Sequence, residues 1–442
     1  MGRIRKRLSS SQIIIFGFMA VILVGTVLLM IPLSTQDGNG ANFADALFTA
    51  TSAVCVTGLV VQDTATYWSG FGQAFIILLI QIGGMGVVTV AIAISILSGK
   101  QISLKQRSTM QEAISAHKVG GIVRLTGFII KMTIIFELLG ALIMAPTFCK
   151  EFGYVKGIWY AIFHSISAFC NAGFDLMGVK TPYSSFTYFA NSPIINFTIM
   201  ALIIIGGIGF MTWEDIKRNA FNIKKYRMQS KVILMTTVIL IILPSIYFYI
   251  FEFGNQSISE RILISLFQSI TPRTAGFNTI DLTQISEVGI LLMIVLMLIG
   301  GSPGSTAGGM KTTTLAVMLS TSISVFRRRE HTHFFGRRIN EDTVRSASTI
   351  LVLYVVLFLI SGCMMSCIED LPLICCLFET ASAIGTVGLS LGITTELGLL
   401  SKIILILLMY IGRVGSLTLI FSAISRNRGN TARFPEEKLT VG

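Results

Sequence analysis

The chain has 442 residues, of which 53% are apolar and only 13% are charged, and its net charge is +12. Soluble domains carry about 25% charged residues, so this composition excludes a water-soluble enzyme or DNA-binding domain. A disordered chain is also excluded, because disorder goes with low hydropathy, whereas the mean hydropathy here is +0.77.

Eight apolar segments are long enough to cross a membrane, which takes about 20 residues. They are residues 11–33, 71–97, 121–147, 192–214, 231–252, 287–325, 345–367 and 398–423. The first follows a basic start, MGRIRKR, but it is longer than a signal-peptide core and lacks a cleavage site of small residues, so we interpret it as a true span. The sixth is too long for one straight crossing and is cut by glycine and proline. We therefore expect an all-α integral membrane protein.

Lysines and arginines lie mainly in those parts of the chain that an even number of crossings brings to one side. These parts are the N-terminus (1–10), three loops (98–120, 220–230 and 327–342) and the C-terminal tail (425–442). Because basic loops stay in the cytoplasm, we expect both termini there. Nucleic-acid binding is not expected, since the basic runs contain few aromatic residues and lie close to the spans.

Four segments share one pattern, in which a Phe and a Ser/Thr-rich helical turn precede a Gly and a large apolar residue. They are ALFTATSAVCVTGL (46–59), AIFHSISAFCNAGF (161–174), SLFQSITPRTAGF (265–277) and CLFETASAIGTVGL (376–389). Each is too short to cross a membrane and lies between two spans. The sequence therefore predicts four tandem units of span, re-entrant loop and span, at 11–97, 121–219, 231–326 and 343–424.

The re-entrant segments are expected to converge on one pore with pseudo-fourfold symmetry, because non-helical backbone at membrane depth must be buried or face water. Carbonyl oxygens there would replace the hydration shell of a cation such as K⁺, and glycine permits the backbone angles this requires. The candidate potassium filter is Val56, Thr57 and Gly58; Asn171, Ala172 and Gly173; Thr274, Ala275 and Gly276; and Thr386, Val387 and Gly388. The alternative is that each glycine only permits close helix packing.

The second span of the third unit is interrupted by a run of small or helix-breaking residues. The run is Gly300, Gly301, Ser302, Pro303, Gly304, Ser305, Thr306, Ala307, Gly308 and Gly309. In a helix, Gly costs about 1 kcal/mol and Pro about 3 kcal/mol relative to Ala, so we expect a cavity-lining loop below the filter, a candidate gate. A phosphate-binding loop is disfavoured, because its lysine, Lys311, is one position late and no strand precedes it. The run is also compatible with a static kink and with the substrate site of a carrier that has broken helices.

Two basic residues accompany this candidate gate. Arg413 lies in the middle of the last span, where an ionisable residue is a functional hypothesis by default. It stays protonated and needs carbonyl or carboxylate partners, which the glycine-rich loop could supply. Lys311 opens the second half of the broken helix. For either residue the alternative is a side chain that reaches the lipid headgroups.

No set of side chains suited to bond-breaking chemistry is apparent, so we expect no enzymatic activity and no covalently bound cofactor. His117, His331 and His333 lie in basic loops, and His164 lies in the second re-entrant segment. A membrane-embedded enzyme would need polar groups facing a cavity, but the spans offer little beyond Glu137 and Arg413. The seven cysteines have no paired spacing, and we interpret them as small hydrophobic residues.

The chain resembles the Ktr/Trk/HKT superfamily of potassium transporters, and within it the KtrB-type membrane subunit. Thr386-Val387-Gly388 begins like the potassium-channel signature TVGYG. The other shared motifs are QIGGMG (81–86), NAGF (171–174), TPRTAGF (271–277), IGGSPGSTAGGMKTT (299–313), GTVGL (385–389) and YIGRVG (410–415). The third re-entrant segment departs from the others by one missing residue and by Arg273, which the resemblance implies is an anchor outside the ion path.

The resemblance implies four M1–P-loop–M2 repeats in each chain, a homodimer with one pore per chain, and a cytosolic ring of KtrA-type nucleotide-binding regulatory subunits. It implies potassium uptake across a bacterial inner membrane, with Na⁺ as a coupling or activating ion. Gly58 favours potassium, because sodium-permeable relatives often differ at that position. It further implies that residues 300–309 obstruct the pore and that Arg413 faces them. The alternative function is an alternating-access cation carrier with its substrate site at the broken helix, although four units of one orientation do not form two inverted halves.

Overall fold

The protein is almost entirely helical in the computed structural model, which describes residues 9–98, 102–114, 121–220, 222–254 and 256–415. The basic N-terminus, the C-terminal tail, His117 and parts of the loop 98–120 lie outside the described residues. In the described part, each of the four predicted units contributes one long helix and one shorter helix that ends at a predicted filter segment.

The first unit contains α1 (Ser10–Leu29), α2 (Phe43–Cys55), α3 (Gly70–Met85) and α4 (Val87–Leu97). A short helix, α5 (Leu104–Ala113), follows in the loop before the second unit. The second unit contains α6 (Ile122–Phe152), α7 (Tyr154–Cys170), α8 (Pro193–Gly207) and α9 (Phe210–Asn219). These two units have the same order of elements, as the repeated sequence pattern predicts.

The third unit contains α10 (Met228–Tyr247), which continues as a π turn (Phe248–Glu252), then α11 (Ile258–Ile270), α12 (Glu287–Leu298) and α13 (Thr312–Phe326). A two-stranded antiparallel hairpin, β1 (His333–Phe334) and β2 (Arg337–Arg338), joins it to the fourth unit. The fourth unit contains α14 (Glu341–Glu369), α15 (Leu373–Gly385) and α16 (Leu399–Val414).

Within the residues that the structure describes, four helices are individually long and apolar enough to cross a membrane: α1, α6, α10 with its π turn, and α14. They match the first, third, fifth and seventh predicted spans. The second and fourth predicted spans are not continuous helices, because α3 and α4 meet at 95° and α8 and α9 meet at 97°. The hinges are Gly86 and Gly209, whose φ angles of 86° and 90° are strained for any residue with a side chain.

The core lies around the shorter helices α2, α7, α11 and α15. Their phenylalanines at equivalent positions, Phe48, Phe163, Phe267 and Phe378, are at most 1% exposed. The long helices instead expose large apolar side chains, such as Val27 on α1 and Leu142 on α6. Buried short helices inside an apolar outer layer are what a membrane-embedded bundle requires, since lipid is as apolar as leucine.

Candidate ion pathway

The four predicted filter glycines lie side by side in a closed ring. A methyl group added to Gly58 would lie 2.5 Å from the carbonyl oxygen of Ala172, and one on Gly173 would lie 2.7 Å from that of Ala275. A methyl group on Gly276 would meet the carbonyl of Val387, and one on Gly388 would meet that of Thr57. Each segment thus touches the next, and the fourth returns to the first.

The backbone entering this ring has the same unusual conformation in every unit. The residue two positions before each glycine adopts a positive φ, between 51° and 69°. These residues are Val56, Asn171, Thr274 and Thr386. The left-handed region is unfavourable for residues with a side chain and occurs mostly where surrounding structure enforces it. Its recurrence at four equivalent places shows that the sequence repeat is also a conformational repeat.

One hydroxyl from each short helix holds the segment that follows it. Ser52 and Ser382 accept hydrogen bonds from the N–H groups of Gly58 and Gly388, at 3.1 Å and 3.0 Å. Ser167 and Thr271 donate to the carbonyls that follow the other two glycines, at 2.7 Å and 2.6 Å. The Ser/Thr-rich helical turns were visible in the sequence, but sequence reasoning gave these hydroxyls no role.

The third filter segment has one residue fewer than the others, and the turn at the end of α11 is tighter by one residue to accommodate this. In the first unit the N–H of Thr57 bonds to the carbonyl of Ser52, whereas in the third the N–H of Ala275 bonds to that of Thr271, one residue nearer. Arg273 lies in this tighter turn and is 5% exposed. Its guanidinium donates to Thr237 on α10 at 3.4 Å. Arg273 therefore lies against an outer helix.

Two cavities lie along the axis of the ring, and Arg273 lines neither of them. The cavity on the far side of the ring from the glycine-rich loop, named the outer cavity after the predicted orientation, has about 240 Å³ and is lined by the four glycines and by residues that follow them, including Asp63 and Asp175. Burial raises the pKa of Asp175 in this loop to about 7, and the charge of Asp63 acts in the same direction. The inner one, of about 280 Å³, is lined by the ends of α3 and α16, by α5 and by the glycine-rich loop. Two carboxyl groups, those of Asp63 and Asp175, thus lie beside the ring on the side away from the glycine-rich loop.

The segment between α12 and α13 is non-helical, as its glycines and proline predicted, and it is tightly held. Ser302 donates its N–H to the carbonyl of Gly207 at 2.9 Å, and the Thr306 hydroxyl donates to that of Phe169 at 3.0 Å. Gly308 is so close to Thr386 that a methyl group on it would collide with that side chain. The loop therefore lies directly beneath the start of the filter segments.

Both predicted basic residues contact this loop. Arg413 donates to the carbonyl of Thr306 in the loop, and also to the carbonyls of Gly83 and Gly84 at the end of α3, the last at 3.0 Å. Lys311 donates to the carbonyls of Ala307 and Gly308, at 2.8 Å and 3.2 Å. The side chains thus bind backbone acceptors freed by the broken helix and do not extend to a lipid headgroup region.

Sequence reasoning missed a further contact on the side of the loop that faces α5. The connector between the first and second units folds back, so that Ile114, just after α5, is 3% exposed and lines the inner cavity. Its carbonyl oxygen would lie 2.6 Å from a methyl group on Gly304. Gly304 in turn accepts a hydrogen bond from the N–H of Phe210 at 2.7 Å. The loop is thus enclosed by the first, second and fourth units.

Comparison with known proteins agrees with the sequence resemblance. The chain is 40% identical to the potassium/sodium uptake protein NtpJ of Enterococcus hirae, over 100% of this chain and 99% of that protein. It is 37% identical to the Ktr system potassium uptake protein B of Bacillus subtilis, over 99% and 97% of the two chains. The crystal structure of the potassium transporter TrkH from Vibrio parahaemolyticus matches with a TM-score of 0.73 at 20% identity, over 96% of this chain and 87% of that one, which is a likeness of fold.

The family described as TrkH, cation transport protein, matches residues 6–431, which is nearly the whole chain. A multi-pass helical transporter, and not an enzyme, is what such a match entails. The chain therefore belongs to the TrkH family of cation transport proteins.

Proposed function

We propose that this protein takes up potassium ions through a pore at the centre of the four units, across a bacterial inner membrane with both termini in the cytoplasm. The observation that carries the proposal is the closed ring of Gly58, Gly173, Gly276 and Gly388. The relatives are described as potassium or potassium/sodium uptake proteins, which supports the choice of ion. The fold is then four M1–P-loop–M2 repeats around one pore.

The filter acts by replacing water with carbonyl oxygens. Cations lose their hydration shell when they enter a ring of backbone carbonyls, and the ring supplies equivalent ligands. The short helices α2, α7 and α15 end immediately before their filter segments, and three residues separate the end of α11 from its own. Because the C-terminal end of a helix carries partial negative charge, four such ends directed at one point stabilise a cation there.

The loop of residues 300–309 acts as the gate. It lies beneath the filter start, and Arg413 and Lys311 bind its carbonyls from two sides. Their positive charges also raise the barrier for a cation at this depth. Opening requires that these hydrogen bonds break and that the loop move toward the inner cavity, which has about 280 Å³ of space.

Regulation comes from outside the chain. We assign it a cytosolic ring of KtrA-type nucleotide-binding subunits, because two relatives are each named as one part of a Ktr system. Exposed arginines between α13 and α14 and at the start of α14, including Arg328, Arg337 and Arg345, offer a basic docking face on the side assigned to the cytoplasm. We further propose a homodimer, and Na⁺ as a coupling or activating ion, since one relative is named a potassium/sodium uptake protein.

Rubidium uptake into liposomes that contain the purified chain, with Na⁺ as competitor, tests the proposal. Gly58→Ser should let Na⁺ compete more strongly, because the added side chain meets the carbonyl of Ala172 in a backbone conformation that glycine tolerates. Gly127→Ser is the matched control, since Gly127 lies in α6 with open space around it. Unchanged ion preference in a well-assembled Gly58→Ser protein would argue against the filter.

A further inference from the structure

Each short helix carries a buried polar side chain shortly before the ring, at a single equivalent position. The position is nine residues before the glycine in three units and eight in the shortened third unit. The four residues, all at most 1% exposed, are Thr49, His164, Gln268 and Glu379. Burial of polar groups is costly unless they are hydrogen-bonded, so their partners identify what they do.

Three of these four side chains form hydrogen bonds with residues that follow the filter segment of their own unit. His164 accepts a hydrogen bond from the N–H of Leu176 at 3.0 Å through Nε2, while Nδ1 lies 2.6 Å from the Tyr160 carbonyl. Gln268 donates weakly to Asn278 and Thr279, at 3.3 Å and 3.5 Å. In the described residues the Thr49 hydroxyl has no partner. The first unit instead uses Asp45, which accepts from Gln62 at 2.9 Å.

Glu379 makes the strongest of these connections. Its two carboxylate oxygens accept from two hydroxyls of one loop, those of Ser390 and of Thr394, the latter at 2.9 Å. Ser390 is two residues after Gly388, and both Ser390 and Thr394 line the outer cavity. At the other end, Ser382 holds the N–H of Gly388 at 3.0 Å. The fourth filter segment is thus fixed to α15 before and after its glycine.

We propose that Glu379 is a positioning residue that sets ion selectivity, by holding the 390–394 loop so that the fourth filter segment keeps its carbonyl geometry. The inference rests on the proposed filter and adds to it a named support. The two oxygens of the Glu379 carboxyl group accept from hydroxyls at two places in the loop, so the one side chain holds both Ser390 and Thr394 against α15. The equivalent residue of the first unit has no such partner among the described residues, so the four units support their filter segments unequally.

Four variants separate positioning from a simple effect of charge. Glu379→Ala removes both contacts, and Glu379→Gln keeps an acceptor and a donor of similar shape without the charge. The pair Ser390→Ala with Thr394→Val keeps the charge but removes the contacts. Thr49→Val is the matched control, because it changes a hydroxyl at the equivalent position that has no partner within the described part of the chain. The measurement is rubidium uptake with Na⁺ as competitor. Only variants that elute from a size-exclusion column as the parent protein does are compared.

Positioning predicts that Glu379→Ala lowers the preference for Rb⁺ over Na⁺ about tenfold, the change that corresponds to about 1.4 kcal/mol. The Ser390/Thr394 double variant should behave similarly, Glu379→Gln should retain most of the preference, and Thr49→Val should match the parent. If Glu379→Ala does not assemble, the double variant and Glu379→Gln still decide the question.

Three outcomes overturn the proposal. If Glu379→Gln loses the preference while the double variant keeps it, the charge matters and the contacts do not. If all the variants match the parent while Gly58→Ser alters the preference, the filter stands and Glu379 does not position it. If Gly58→Ser also matches the parent, the proposed filter itself fails and the inference with it.

Discussion

Arg413→Ala is expected to open the pore. In the parent protein the guanidinium joins the loop, through the carbonyl of Thr306, to the end of α3, through Gly83 and Gly84. A hydrogen bond to a charged group contributes about 1.5–3 kcal/mol, and one of the three bonds reaches the loop. Its loss shifts the balance between closed and open loop by about 10- to 150-fold, at about 1.4 kcal/mol per tenfold. Lys311 continues to hold two other loop carbonyls, so the loop stays partly restrained.

The assay is rubidium flux into liposomes that contain the chain without any partner. We expect flux through Arg413→Ala to rise about tenfold, the lower end of that range, because the remaining contacts persist. The flux through Arg413→Lys should lie between that of the parent and that of Arg413→Ala. An ammonium group keeps the charge, but it cannot bridge acceptors on opposite sides as the planar guanidinium does. Arg345→Ala removes the same charge from an exposed position on α14 and should leave flux unchanged.

Flux at or below the parent level, from an Arg413→Ala protein that is well assembled, would refute this reasoning. A flux this low is expected if the protein is a carrier with its substrate site at the broken helix, because the variant would then disturb the site itself. Equal increases for Arg413→Ala and Arg413→Lys would show that geometry matters and charge does not. Equal flux for Arg413→Lys and the parent would show the reverse.

Three further predictions concern the same framework. Lys311→Ala should raise flux in the same assay by less than Arg413→Ala, because it frees the carbonyls of Ala307 and Gly308 without separating the loop from α3. Gly83→Ala should lower the melting temperature or prevent assembly, because the added carbon collides with the backbone of Val54, whereas Gly127→Ala should be tolerated. In a cysteine-free background, needed because Cys363 and Cys367 are exposed, an impermeant thiol reagent should label a cysteine replacing Ser257 and spare one replacing Ser108; the reverse would contradict the orientation.

The parts of the pathway that the sequence revealed are those that backbone chemistry dictates locally. A glycine at the same place in four units implied a shared special conformation, and the structure has φ between 70° and 95° at all four. Ten small or helix-breaking residues implied a loop, because no neighbour could make them helical at membrane depth. Carbonyl partners for Arg413 could be predicted, because a side chain that stays charged in an apolar region needs hydrogen-bond acceptors.

The parts that sequence reasoning could not supply depend on contacts between distant segments. The glycines of QIGGMG and IGGIG are compatible with a continuous helix and with a sharp bend, and the neighbouring loop decides between them. A methyl group on Gly209, for example, would lie 2.6 Å from the carbonyl of Pro303. The supports behind the filter, such as Glu379 with Thr394, likewise form only because the chain after the ring folds back onto its own helix. The contact of Ile114 with Gly304 joins residues from different units.

The glycines at the ends of α3, α8 and α16 have two different roles. These roles help to explain the position of the candidate gate. The first of each motif, Gly83, Gly206 and Gly412, packs so closely that an added methyl group would meet a carbonyl four residues before a filter glycine. The last of each motif lies just after the end of a helix and has nearly the same angles each time, φ of 86°, 90° and 91° with ψ of 133°, 144° and 130°. These last residues are Gly86, Gly209 and Gly415.

In the third unit the same motif begins at Ile299 but continues into the long loop before helix resumes at Thr312. At Gly86 and Gly209 a single glycine turns the second half-helix aside, by 95° and 97°. The loop of the third unit contacts Phe210 and Thr386 directly, and Arg413 joins it to Gly84. The candidate gate therefore lies, in the third unit, at the place where each of the other three units ends a helix with a single glycine.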